Sequence, residues 1–341
     1  MTFETLLHLL VGLLPVASFL ATLVYLDSYK LVKPGFVVGV VASGGLMAGA
    51  CYFVNGGLLA ATDLELSVYS RFVAPLVEEF LKGALIVALL KGRRIGFLID
   101  AAIFGFAVGT GFALVENIHY LSLLPDANVA TWIVRGFGTA IMHGGVTAIF
   151  AVTSLALLER KRGGRRRSLP HATWPGFCIA IILHSVYNHL TFSPRLSTLI
   201  VAITMPALLY FVLIRSERAV GDWLGKGFDA DAEMLELLNS GKFSDSPVGV
   251  YLHSLKDKFH GPVVADILCY IRLYTELALR AKGILLMREN GFDVTPDEPT
   301  KAKFEEMRYL EGSIGRTGLL AIQPLLHMSH KDLWQLYMLG K

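Results

Sequence analysis

The sequence has 341 residues, of which 54% are hydrophobic and 17% are charged, and its formal net charge is +3. This composition is typical of a membrane protein rather than of two soluble domains, and so small a net charge gives no basic field for nucleic acid. The three cysteines are far apart without a CxxC pair, so they provide neither a disulfide framework nor a thiolate metal site.

Seven apolar stretches are long enough to cross a bilayer, because a hydrocarbon core about 30 Å thick needs about 20 helical residues. In chain order they are residues 5–26, 35–61, 70–90, 97–122, 130–158, 174–191 and 197–214. The first lacks a Lys/Arg-rich leader, so we expect a retained span rather than a signal peptide. The sequence therefore predicts an all-α, polytopic membrane bundle of about seven spans.

The basic residues of the connections alternate along the chain. Residues 28–34, 91–96 and 160–173 together hold eleven Lys and Arg residues, whereas the other connections hold only Arg71 and Arg195. Cytoplasmic connections of membrane proteins accumulate Lys and Arg. Seven spans then place the N-terminus outside the cell and the C-terminal segment in the cytoplasm.

The composition changes near residue 217, which predicts a transmembrane domain over residues 1–216 and a soluble, cytoplasmic helical domain over residues 217–341. Of the 28 acidic residues, 18 lie in the second part, and no apolar run of span length remains there. Pro262 and Gly291 are typical of the start and the end of one helix, and Ser329 suits the N-cap of another. The sequence leaves docking, oligomerisation and regulation open as roles of this domain.

Ionisable side chains stand inside the third span, in the stretch "EEFLK". Such groups cost at least about 2.5–3.5 kcal/mol each at membrane depth, so a functional role with a partner is their default interpretation. Glu78 and Lys82 are four residues apart and share a helix face, so we expect Lys82 to neutralise Glu78. Glu79 then has no local partner, so it is either protonated or faces a positive group, a metal or a water-filled cavity.

Polar residues recur in the next three spans: Glu116 with Asn117, then His143 before two glycines, then His184 with Asn188 one helical turn later. At 1.5 Å per residue, Glu78, Glu116 and His184 lie about 9–12 Å from the outer boundary and His143 lies about 18 Å from it. We expect these groups to meet in the outer half of the membrane. The structural alternative for His143 and Asn188 is a hydrogen bond between helices.

Two further charged residues lie close to the ends of spans. For Asp100 and Arg135 we expect a helix cap or a side chain that reaches back to the interface.

A set of acids and imidazoles suits hydrolysis. A carboxylate beside an imidazole can take a proton from water, while a second imidazole and an amide can donate to an oxyanion. The same residues could instead hold a divalent metal such as zinc, which activates a bound water. The chain contains neither HExxH nor a convincing Ser–His–Asp triad. A proton-coupled transporter and a non-catalytic scaffold are the other classes, and the transporter would also need buried Glu and His.

These motifs, in this order, resemble the PrsW family of intramembrane proteases, within the superfamily that includes the CAAX prenyl endopeptidases. The resemblance covers about residues 70–192 and is carried by "EEFLK", "DAAIFGFAVGTGFALVENIHYL", His143 and "HSVYN". It implies a bacterial inner-membrane protease with its active site towards the outer side. Some members cut an anti-sigma factor.

The resemblance also implies roles for single residues. The family's catalytic glutamates and last histidine correspond to Glu78, Glu79 and His184. Asn188 is a departure, because members often carry HxxxD where this chain has HxxxN. The long C-terminal part is a second departure from the family pattern. The resemblance therefore does not identify the substrate.

We therefore predict a peptidase that acts on a membrane-anchored protein. Glu78 or Glu79 would activate water, with His143 and Glu116 tuning the site or binding metal. His184 and Asn188 would stabilise the oxyanion. If a metal is bound, the available ligands are Glu78 or Glu79 together with His143 and His184, and Glu79 is the acid that we name for the site.

Overall fold

The computed structural model describes residues 3–124, 126–162, 165–189, 191–240, 243–292, 294–323 and 325–326. The regular structure of these residues is helical, apart from one pair of two-residue antiparallel strands, Lys161–Arg162 with Arg165–Arg166. The prediction of an all-α membrane bundle is thus confirmed. The second C-terminal helix, predicted around Ser329, lies outside the described residues.

The chain divides into two compact units, Met1–Glu217 and Arg218–Lys341. The division falls one residue after the boundary that the change in composition predicts. The charged residues singled out in the spans all belong to the first unit.

The described residues of the first unit form eight helices and the start of a ninth. Their bounds are α1 Phe3–Leu26, α2 Pro34–Ala61, α3 Leu66–Val68, α4 Ala74–Lys91, α5 Leu98–Leu123, α6 Val129–Ile133, α7 Ile141–Glu159, α8 Leu169–Asn188 and α9 Pro194–Asn239. Two π-helical segments, Tyr69–Val73 and Val134–Ala140, run directly into α4 and α7. Such π-helical turns frequently occur at functional sites.

Among the described residues, six helices are long and apolar enough to cross a membrane: Phe3–Leu26, Pro34–Ala61, Leu98–Leu123, Val129–Glu159, Leu169–Asn188 and Pro194–Asn239. The seventh predicted span corresponds to α4 and is not among them. The reason is that Glu78, Glu79, Lys82 and Lys91 all fall within its 18 residues. The π-helical segment and α4 together are still long enough to cross a bilayer at 1.5 Å per residue.

Helix α5 lies at the centre of the first unit, with 16 of its 26 residues buried, and it packs against α1, α2 and α7. A Cβ atom at Gly109 would lie 2.2 Å from the carbonyl oxygen of His143, and one at Gly111 would lie 1.8 Å from that of Val41. Glycine therefore permits backbone contact of α5 with both neighbours, as small residues do between membrane helices.

The glycines after His143 are in close contact too, as the sequence predicts. A Cβ atom at Gly144 would lie 2.7 Å from the ring of Phe106, and one at Gly145 would lie 2.4 Å from the sulfur of Met205. The helix that carries His143 is thus packed tightly at the level of this residue.

The second unit contains the rest of α9 and three further helices, α10 Pro247–Ser254, α11 Gly261–Glu289 and α12 Glu298–Ile322, with short 3-10 turns at Phe243–Asp245 and Leu255–Asp257. Pro262 stands in the first turn of α11, and Gly291 follows its end in the left-handed region with φ of 84°. The bounds predicted for this helix are confirmed. Within the unit, buried Lys282 lies 2.5 Å from Asp231 and fixes α11 to α9.

We expect Gly109→Ala to lower the free energy of unfolding by about 1–3 kcal/mol or more, because its methyl group would collide with the backbone of α7. The control is Gly49→Ala in α2, where a Cβ atom meets nothing within 4 Å. Thermal unfolding of both variants in detergent micelles measures the difference. Equal stability of the two variants would contradict the close approach of α5 and α7.

Candidate active site

Four helices of the first unit bring polar side chains together. Helix α4 contributes Glu78, Glu79 and Lys82, α5 contributes Glu116, α7 contributes His143 and α8 contributes His184. Five of the six predicted catalytic residues thus lie in one cluster, linked by the contacts described below. The sixth, Asn188, lies one turn beyond His184 and has a different partner.

Glu79 is held from two sides. Its Oε1 accepts a hydrogen bond from Lys82 Nζ at 2.5 Å and lies 2.8 Å from His184 Nδ1. All three side chains are almost completely buried, with exposed fractions of 0–2%. The predicted pairing of Lys82 with Glu78 is therefore wrong. Lys82 reaches the acid three residues before it, because that acid shares the buried face of α4.

Glu78 is the more accessible of the two acids. Its side chain is 16% exposed, and its Oε2 lies 3.9 Å from His184 Nε2, which is too far for a hydrogen bond. The two glutamates thus differ in their surroundings. Glu79 is fixed within a buried network, whereas Glu78 faces the imidazole that Glu79 orients.

His143 has a charged neighbour at each ring nitrogen. Its Nε2 lies 3.0 Å from Glu116 Oε2, and its Nδ1 lies 3.1 Å from Lys82 Nζ. The ring stands almost perpendicular to that of His184, at an angle of 88° and with the centroids 4.8 Å apart. His143 is thus shared between the acid of α5 and the amine of α4.

Arg135 completes the Glu116 side of the cluster. Its Nη2 lies 3.3 Å from Glu116 Oε1, its Nε donates to Asn117 Oδ1 at 2.9 Å, and its guanidinium stacks 3.6 Å above the ring of Tyr120. The interfacial role predicted for Arg135 is therefore wrong. The side chain turns inwards because the carboxylate and the amide of adjacent residues on α5 receive it.

Asp100 is a helix cap, as expected. Its Oδ2 accepts hydrogen bonds from the backbone N–H groups of Gly96 at 2.8 Å and Phe97 at 3.0 Å, at the start of α5. It has no place in the cluster.

The C-terminal end of α8 is bonded to the π-helical segment before α4. Asn188 Nδ2 donates to the carbonyl oxygen of Ser70 at 3.0 Å, and Ser185 Oγ donates to that of Arg71 at 2.6 Å. These bonds fix α8 beside α4, and with it the position of His184. The oxyanion role of Asn188 stays a prediction, since at least one N–H of its amide is used here.

A metal ion could be held by Glu78, His143 and His184, whose ligand atoms all lie within 4.8 Å of one another. Two imidazoles and a carboxylate are a donor set that zinc accepts, with a fourth position for water. Each imidazole is also backed by a second acid, as metal-binding histidines usually are. Of the two acids that the sequence leaves open as ligands, this set contains Glu78 rather than Glu79, because Glu79 Oε1 is already engaged by Lys82 and His184.

The order and spacing of these residues agree with a known family. The family described as "PrsW family intramembrane metalloprotease" matches residues 32–214, which is more than half of the chain. The chain belongs to the PrsW family. The resemblance seen in the sequence is thus confirmed: the chain is a multi-pass membrane protein of a family described as intramembrane metalloproteases.

Two curated relatives are each called "Protease PrsW". The one from Clostridioides difficile is 28% identical over 126 residues, which cover 36% of this chain and 52% of that protein. The one from Geobacillus kaustophilus is 23% identical over 220 residues, which cover 62% of this chain and 91% of that protein. The chain thus spans about half the length of the first relative and most of the second. No solved structure matches the chain.

Two side chains within the matched residues, Arg135 and Phe112, make contacts that the sequence did not predict. An arginine within a long apolar stretch signals a buried partner as much as an interfacial one, and here the partners are Glu116 and Asn117. Phe112 belongs to the stretch that carries the resemblance, but the sequence assigned it no role; its ring lies 4.7 Å from Lys82 Nζ and 5.1 Å from the ring of His143. It closes the α5 side of the cluster with an apolar wall.

Proposed function

We propose that this protein hydrolyses a peptide bond of a membrane-anchored protein, with Glu78 as the group that takes the proton from the attacking water. The observation that carries the proposal is the contrast between the two glutamates. Glu79 binds Lys82 and His184 within a buried network, whereas Glu78 is exposed by 16% and faces His184 Nε2 across 3.9 Å. A general base must be reachable by water and free to accept a proton.

His184 is proposed as the donor to the oxyanion that forms on the cleaved carbonyl. Glu79 lies 2.8 Å from its Nδ1, which fixes the ring and turns Nε2 towards Glu78. Because Glu79 accepts the proton of Nδ1, Nε2 donates to the oxyanion when the ring is an imidazolium that carries a second proton there. A donor held in place before the reaction stabilises the developing charge without a cost of reorganisation. Asn188 supports this geometry through its bond to Ser70, and it stays a candidate second donor.

The side of the site opposite His184 is proposed to be formed by Glu116, Arg135 and His143. Arg135 offsets the charge of Glu116, and Glu116 in turn orients the ring of His143. The ring then lies within 4.8 Å of the ligand atoms of Glu78 and His184. The proton that Glu78 takes from the water must then reach the amine nitrogen that leaves as the C–N bond breaks, and His143 lies close enough to assist this transfer.

The residues present also fit a divalent metal. Glu78, His143 and His184 would hold it, and a metal such as zinc would activate the water as a Lewis acid. With or without the ion, Glu79 and Glu116 keep the two imidazoles in orientation, and the apolar wall at Phe112 limits the entry of water.

The proposed substrate is a protein with a membrane anchor, cut near the outer half of the bilayer. An anti-sigma factor, as in some PrsW members, is the first candidate to test. The proposed location is the inner membrane of a bacterium, with the N-terminus outside and residues 217–341 in the cytoplasm. This orientation rests on the alternation of basic connections and on a crossing by α4.

Reporter fusions test the orientation and the crossing together. We expect a fusion after residue 341 to report the cytoplasm and one within residues 62–65 to report the outside, because the five predicted spans between the two fusion points are an odd number of crossings. A result on the same side for both would show that α4 does not cross.

We expect Glu78→Gln to reduce cleavage by at least about 100-fold, because general-base catalysis typically contributes that much or more. The matched control is Glu65→Gln, which makes the same chemical change at an exposed acid in the connection before α4. Membrane-anchored fragments are compared by mass spectrometry in cells that contain wild type or either variant at equal abundance.

Fragments that depend on the wild-type protein and persist in Glu65→Gln would support the peptidase. Full cleavage in Glu78→Gln would contradict the role of Glu78. Ion flux across liposomes without any fragment would favour a proton-coupled transporter instead, and unchanged cell behaviour on loss of the glutamates would favour a scaffold.

A further inference from the structure

The Lys82 ammonium occupies the centre of the cluster, although no role in the reaction falls to it. Its side chain is fully buried, and Nζ lies 2.5 Å from Glu79 Oε1, 3.1 Å from His143 Nδ1 and 4.7 Å from the ring centroid of Phe112. Lys82 therefore links Glu79 of α4 to His143 of α7, and the ring of Phe112 covers it. A buried amine costs so much to desolvate that such a position calls for an explanation.

The contact with His143 fixes which nitrogen of the ring carries its proton. An ammonium group has only N–H donors, so His143 Nδ1 can only accept. A neutral ring then carries its proton on Nε2, and this nitrogen lies 3.0 Å from the carboxylate of Glu116. The negative charge of Glu116 favours the same tautomer from the opposite side of the ring, by proximity rather than through an aligned hydrogen bond.

The same contact decides how a metal could reach His143. An ion bound through Nδ1 would have to lie along the lone pair that Lys82 Nζ occupies. An ion bound through Nε2 would have to lie between the ring and Glu116, next to the guanidinium of Arg135, which is 3.3 Å from that acid. Each approach meets a fixed positive side chain, and like charges at such distances repel strongly in a buried site.

We propose that Lys82 is the resident cation of this site: it positions His143 in the tautomer with the proton on Nε2, and a divalent metal binds His143 through Nδ1 only when the Lys82 ammonium has been displaced. The inference deepens the proposed function, on which it rests for the place of His143 in the reaction. Lys82 acts here as a positioning residue, because it touches Glu79 and His143 rather than the water beside Glu78. Metal and amine are thus alternative occupants of one space.

The test compares metal binding by full-length protein purified in detergent micelles, with Co²⁺ as the probe. We expect Lys82→Met to bind one Co²⁺ at least about tenfold more tightly than wild type, because the competing charge is gone. Lys82→Arg, which keeps the charge, and Lys91→Met, which removes an exposed lysine of the same helix, should bind like wild type. Calorimetry gives the affinity, and the visible absorption of Co²⁺ reports imidazole ligands.

A second measurement follows the ring itself. Nitrogen NMR of ¹⁵N-histidine-labelled protein, with the His143 signals identified by their loss in His143→Gln, should show the proton on Nε2 in wild type. The populations of the two tautomers should change in Lys82→Met. Equal Co²⁺ affinity together with an unchanged tautomer in folded Lys82→Met would overturn the proposal.

Folding of the variant is controlled separately. Lys82→Met leaves Glu79 buried without its cation, so the comparison is repeated with Lys82→Met/Glu79→Gln against Glu79→Gln alone, a pair that differs only in Lys82. Tighter Co²⁺ binding by the double variant supports the proposal, and equal binding overturns it. Neither measurement depends on cleavage, so an active Glu78→Gln would remove the proposed function and leave the competition between Lys82 and metal intact.

Discussion

A charged side chain at membrane depth costs at least about 2.5–3.5 kcal/mol, and α4 carries three within five residues. The ion pair between Lys82 and Glu79 offsets part of this cost, and it does more than neutralise charge. Glu79 also orients His184, and Lys82 also holds His143. The pair therefore fixes both imidazoles at once, and it leaves Glu78 as the acid of α4 that water can reach.

The close approach of the helices makes these contacts possible. Gly109 lets the backbone of α5 touch that of α7 at His143 itself, and Glu116 follows two turns later on the same helix. A bulkier residue at this crossing would move the ring away from its acid. The bonds of Asn188 and Ser185 to the π-helical segment before α4 do the same for His184. Packing and catalysis thus depend on the same few contacts.

Much of the site could be predicted because membrane depth makes every polar side chain conspicuous. Five of the predicted catalytic residues meet in the structure for this reason. Their pairing was not predictable, since side chains three and four residues apart are equally near on a helix, and only the rotation of α4 against α7 and α8 selects Glu79 for Lys82. The contacts of Arg135 with Glu116 and Asn117 were not predictable either, because they depend on how the segment Val134–Ala140 packs against α5, which leaves no trace in hydropathy. In the second unit, Pro262 and Gly291 mark the bounds of α11, but surface helices without a motif give no function.

If water beside Glu78 hydrolyses the peptide bond, one oxygen atom of the new C-terminal carboxylate comes from that water. The most direct measurement is mass spectrometry of membrane-anchored fragments formed in vesicles suspended in heavy-oxygen water. In wild type, the new C-terminal carboxylates should carry one oxygen from the solvent, and these fragments should be missing from vesicles that contain Glu78→Gln. Fragments that form equally in both, or that form without solvent oxygen, would contradict peptide hydrolysis at this cluster.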